Sequence, residues 1–72
     1  MLTTEAPDFS FVDLARIVRS EYLESPGLAL TRRQIQRLWA LDGPTADILI
    51  ESLVSSGFLR RTSRNMFVRT DV

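Results

Sequence analysis

The sequence contains no cysteine and no histidine. Disulfides and thiolate metal sites are thereby excluded, and the commonest metal ligand and usual general base are missing as well. Lysine is also absent, so all nine basic residues are arginine. Without His, Cys or Lys beside them, the serines and threonines have nothing to activate them as nucleophiles. Only three glycines occur, and no glycine-rich phosphate loop is present. Nine carboxylates are available, but paired acid/base work needs a pocket that so short a chain scarcely provides. No apolar run approaches the ~20 residues needed to cross a bilayer. The first residues, Met1-Leu2-Thr3-Thr4-Glu5, lack the basic and apolar regions of a signal peptide. The expectation is a cytoplasmic chain that is not an enzyme, carries no metal or other cofactor and has no membrane partner.

What is present suits one small globular domain: 72 residues, 44% of them apolar, with a formal net charge of zero. Overall charge therefore announces no polyanion partner. The arginine-only basic set has a plain explanation in the codon bias of a GC-rich genome. It also has a chemical one, because the planar guanidinium fork suits phosphate and carboxylate better than an ammonium does.

In chain order, residues 1–9 read as a flexible lead-in and residues 10–72 as the domain. A first helix is predicted from Ser10, its cap, with Asp13 three residues on and Asp8 as a rival cap. Phe11, Leu14, Ile17, Val18 and Tyr22 recur at helical spacing and form its apolar stripe. Ser25-Pro26-Gly27 ends it. Leu28-Ala29-Leu30 reads as a stub strand. Thr31 and Gln34 then form a capping box for a second helix, with Ile35, Leu38 and Trp39 inward and Arg32, Arg33 and Arg37 outside.

Asp42-Gly43-Pro44 is the expected turn, with Gly43 free to take positive φ and Asp42 able to cap the third helix. In that helix Ala46, Leu49, Ile50 and Leu53 form the core face, opposite Thr45, Asp47, Ile48, Glu51, Ser52 and Ser55, and Gly57 terminates it. Phe58–Thr62 and Met66–Thr70 read as strands of a hairpin around Ser63-Arg64-Asn65. The predicted class is mostly α with a small antiparallel sheet (α+β), in the order helix-strand-helix-helix-strand-strand. The expected core comprises Phe11, Leu14, Val18, Ile35, Leu38, Trp39, Leu49, Ile50, Leu53, Phe58 and Leu59. Ile17, Tyr22, Leu23 and Phe67 extend the apolar surface and suggest a homodimer through the first helix.

Leu30-Thr31…Gln34-Ile35, the Leu41-Asp42 turn and Leu53-x-x-x-Gly57-Phe58-Leu59 stand here in an order that resembles the winged helix-turn-helix superfamily. The helix-to-hairpin junction is similar to that of MarR-like and ArsR-like bacterial regulators, and the resemblance runs from about Phe11 to Thr70. It implies a transcriptional regulator that binds double-stranded DNA, with the third helix in the major groove and the hairpin as a wing on the backbone. By that resemblance Arg32 and Arg33 would contact phosphate, with Arg37 beside them on the same helix. Thr45, Ile48 and Ser52 would meet base edges or thymine methyls, and Arg61, Arg64 and Asn65 would belong to the wing. The additional helices with which MarR-like proteins dimerise are lacking.

The outward face of the third helix argues the other way. It holds Asp47 and Glu51 and no basic residue, and carboxylates repel a duplex that carries about one negative charge per 1.7 Å. The alternative is therefore a protein-interaction module whose Asp47, Ile48 and Glu51 face a protein partner. A positive strip from Arg32 to Arg64 would favour DNA, and one broken by the two acids would favour a protein.

Overall fold

The computed structural model describes residues 11–71. The lead-in and the caps expected at Asp8 and Ser10 lie outside the described residues, as does Val72. Three helices and three strands follow in the expected order: α1 (Phe11–Glu24), β1 (Leu30–Thr31), α2 (Arg32–Leu38), α3 (Gly43–Ser55), β2 (Leu59–Arg61) and β3 (Met66–Arg69). The sheet is antiparallel with order β1-β3-β2, so the last strand is central. Its register pairs Leu30 with Phe67 on one side and Arg61 with Phe67 on the other. The fold is α+β, mostly helical. No helix among the described residues is long and apolar enough to cross a membrane.

The core is built from α1, α2, α3 and one face of the sheet. Val18, Tyr22, Ile35, Leu49, Ile50, Leu53, Leu59 and Phe67 form a buried cluster, with Ala46 also buried and Leu14, Leu28, Leu30, Trp39, Leu41 and Phe58 packed around it. All four residues expected on the inner face of α3 are inside. Phe11 and Leu38, expected in the core, are instead exposed, Leu38 at 59%. Ile35 alone of α2 is fully buried, and at about 100° per residue Leu38 falls to one side of the direction that Ile35 and half-buried Trp39 turn to the core. Tyr22 and Phe67, assigned by the sequence to a dimer surface, lie within the monomer core. The Tyr22 hydroxyl donates to the Phe67 carbonyl at 2.8 Å and its ring meets Phe58 edge-on. This bond fixes α1 to the central strand.

Hydrogen-bonding side chains set the element ends. Thr31 and Gln34 close the expected capping box, Gln34 N–H to Thr31 Oγ1 at 3.1 Å and Thr31 N–H to Gln34 Oε1 at 2.8 Å. Asp42 caps α3 by accepting from Thr45 N–H at 2.8 Å. Helix α3 closes with Gly57 at φ 85°, Gly57 N–H bonding to Val54 O and Phe58 N–H to Leu53 O. That is the Schellman arrangement, for which glycine is the usual residue.

The same closure ends α2, and here the expectation fails. Ala40 N–H bonds to Arg37 O and Leu41 N–H to Gln36 O, with Ala40 at φ 54°. The turn therefore lies at Trp39–Leu41, ahead of Asp42-Gly43-Pro44, and Gly43 is the first residue of α3 without positive φ. A left-handed alanine is costly, and sequence rules pass over it in favour of the nearby glycine. The first strand is likewise displaced, to Leu30–Thr31, because a turn bonding Leu28 N–H to Ser25 O occupies Leu28. The hairpin strands are one residue shorter than expected at Phe58, Thr62 and Thr70. Its loop is as expected, a three-residue connection ending with Asn65 at φ 61°. Thr62 holds it, its Oγ1 accepting from Arg64 N–H and Met66 N–H, both at 3.2 Å.

Candidate nucleic-acid interface

The candidate site comprises the outward faces of α2 and α3 and the β2–β3 hairpin. Because Ala46, Leu49, Ile50 and Leu53 are fixed in the core, Ile48, Glu51, Ser52 and Ser55 are presented to solvent. Ile48 is 57% exposed. Thr45, expected among the base-reading residues, is half-buried and engaged in the Asp42 cap. Its hydrogen bonds hold the Asp42 carboxyl below its usual range.

Arg32 does not stand free for phosphate. Its Nε donates to Asp47 Oδ1, its NH2 to the Gly43 carbonyl at 3.3 Å, and its NH1 to Gln36 Oε1 at 3.4 Å. Arg32 thus brackets α2 to α3. The guanidinium lowers the Asp47 pKa through that hydrogen bond, and the carboxylate raises that of Arg32. Both side chains are well exposed, so water screens the pair and its main effect is to fix geometry. One of the two acids counted against DNA is therefore neutralised in place. The sequence signal was available: an arginine opening one helix and a carboxylate in the second turn of the next, across a short turn.

Glu51 is the acid that remains. Together with Arg32, Asp47, Val54, Ser55 and Arg61 it lines a cleft of about 730 Å³ between α3 and the hairpin. Arg61 makes no ion pair with it; the ion pairs among the described residues are Arg16–Asp13, Arg32–Asp47 and Arg69–Asp71. Glu51 and, at the start of α3, Asp42 are exposed carboxylates of this surface without an ion-pair partner among the described residues.

Six arginines, Arg19, Arg33, Arg37, Arg60, Arg61 and Arg64, have no ion-pair partner among the described residues. All but Arg19 lie on α2 or the hairpin. The two-residue alternation of a strand separates Arg60 from Arg61. Arg61 shares the face of buried Leu59 and enters the α3 cleft, while Arg60 is on the outer face of the sheet. Arg64 and Asn65 are exposed at the hairpin tip.

Zero net charge conceals a division along the chain. Residues 1–31 carry two arginines against five carboxylates, and residues 32–72 carry seven against four. The candidate surface belongs wholly to the basic part. No family model, curated protein or solved structure matches this chain.

Proposed function

We propose that the chain is a small winged helix-turn-helix protein that binds double-stranded DNA in the cytoplasm and acts as a transcriptional regulator. Helix α3 enters the major groove and the hairpin lies on the backbone as the wing. The observation that carries this reading is the set of five arginines without an ion-pair partner among the described residues, Arg33, Arg37, Arg60, Arg61 and Arg64, on the two elements flanking α3. Phosphate neutralisation supplies most non-specific affinity. On this arrangement α2 and the wing provide affinity, and Ile48 and Ser52 stand at the bases. Arg32 acts indirectly, by setting the angle between α2 and α3. The function is one of binding, with no catalytic step and no cofactor.

The test is duplex binding at low salt by the wild type and by Arg61→Ala and Arg64→Ala. Each variant is expected to weaken binding on all duplexes alike and to flatten its dependence on salt. Unchanged binding in both would remove the wing from the interface.

Exposed Ile48 near Glu51, which has no ion-pair partner among the described residues, favours a second reading, a protein-interaction module. Its face is smaller than the sequence suggested, since Asp47 is taken by Arg32. On that reading Ile48→Glu abolishes capture of a protein partner while the domain stays folded, and the partner persisting on the variant would discard it.

A further inference from the structure

We propose that Glu51 is the base-discriminating residue of α3, accepting a hydrogen bond from the N4 amino group of a cytosine while Ile48 meets the methyl of a neighbouring thymine. The inference rests on the DNA-binding reading and adds to it the kind of site that is read.

The outward side of α3 carries little equipment. Thr45 belongs to the Asp42 cap and Asp47 to Arg32, which leaves Ile48, Glu51, Ser52 and Ser55 without side-chain partners among the described residues. Glu51 is the one ionised group in that set. Its carboxylate accepts hydrogen bonds and cannot donate them. In the major groove guanine offers two acceptors, thymine an acceptor and a methyl, and adenine an acceptor beside its donor; cytosine offers a donor alone. A carboxylate therefore meets only acceptors at guanine and thymine and a donor beside an acceptor at adenine, and cytosine alone offers it a donor with no acceptor on the same base edge. Ile48 lies three residues earlier, a rise of about 4.5 Å, close enough to the spacing of base pairs to face the adjacent one. A branched apolar side chain there favours the thymine methyl.

The same charge repels phosphate on every sequence, so Glu51 lowers general affinity while raising discrimination. Specificity is commonly gained by such a repulsive element. Arg33, Arg37, Arg60, Arg61 and Arg64, without ion-pair partners among the described residues, offset the loss.

The probe is a randomised duplex pool, selected on the wild type and on Glu51→Gln, followed by titration of the selected duplexes and of an unrelated duplex. The exposed position of Glu51 keeps folding out of the comparison. Wild-type sites are expected to hold a fixed cytosine beside a thymine. In Glu51→Gln, glutamine matches the adenine edge; the cytosine preference is expected to vanish or move to adenine. Affinity for the wild-type site should fall about tenfold, while that for the unrelated duplex rises. Deoxyuridine in place of the thymine should weaken the wild type and leave Ile48→Ala unaffected. Equal base preferences in wild type and Glu51→Gln, with affinity raised alike on every duplex, would overturn the proposal and leave DNA binding intact. Failure of the wild type to bind any duplex would overturn both.

Discussion

The chain holds one tyrosine and one tryptophan, so the anchoring of α1 is open to direct measurement. Tyr22 is fully buried, and burial pushes its phenol up to about 12 from 10.0. An unfolded chain loses this proton near pH 10, whereas the folded chain retains it until about 12. Between these values the folded state binds more protons than the unfolded one, so stability falls as pH rises. Below pH 10 the contribution is fully present; through 12 it is lost. A two-unit shift corresponds to about 3 kcal/mol, comparable with the ~3–5 kcal/mol that a core of this size supplies.

Taking about 3 from ~3–5 kcal/mol leaves about 0–2 kcal/mol at pH 12, so the wild type is expected to become marginal across this window. Tyrosinate absorbance should then rise only above pH 10, together with the change in Trp39 fluorescence. Tyr22→Phe removes the titrating group and the bond to Phe67 O. It should cost about 1 kcal/mol at neutral pH and flatten the fall in stability over the alkaline window. Tyrosinate appearing near pH 10 while Trp39 still reports a folded core would refute the placement of Tyr22.

Ala40→Gly should stabilise the protein by about 0.5–1 kcal/mol, because the left-handed cost of alanine exceeds the entropy that glycine loses on folding. Gly57→Ala should destabilise it by about 1 kcal/mol although no atom lies within 4 Å of the added Cβ, and Gly43→Ala should be tolerated; urea midpoints decide all three. Thr31→Ala breaks the capping box and should cost about 1 kcal/mol in the same assay. Asp42 and Asp47 both have lowered pKa values, so their contributions are present above the ordinary carboxylate range and disappear as pH falls through the folded values. Acid titrations of Asp42→Ala and Asp47→Asn should each lose part of that dependence. Phe11, Val12, Ile17 and Leu23 remain exposed on α1; sedimentation is expected to find a dimer through this helix at high concentration, and a monomer there would reject it.

Periodicity and caps are local, and they were legible. The apolar spacing of Ala46, Leu49, Ile50 and Leu53 oriented α3, and Thr31, Asp42, Gly57 and Asn65 marked its surroundings through side-chain oxygens or tolerance of positive φ. Ala40 was not legible, because nothing in its chemistry asks for a left-handed backbone; the packing on either side imposes it. Leu38 was misread for a similar reason, since the spacing of Ile35, Leu38 and Trp39 does not say which side of the stripe meets the core, and packing turns the Ile35–Trp39 side inward. At the candidate site the sequence supplied the arginines and the two acids as a list. The bracket between Arg32 and Asp47 depends on how α2 meets α3, and only that geometry separates the neutralised acid from the free one.

DNA binding is tested most directly by the salt dependence of wild-type affinity for duplex DNA, measured as log K against log salt. With most of the five arginines of α2 and the hairpin that lack an ion-pair partner among the described residues on phosphate, the slope should lie at about −3 to −4.5. A flat line, or no binding at low salt by folded protein in excess, would contradict it.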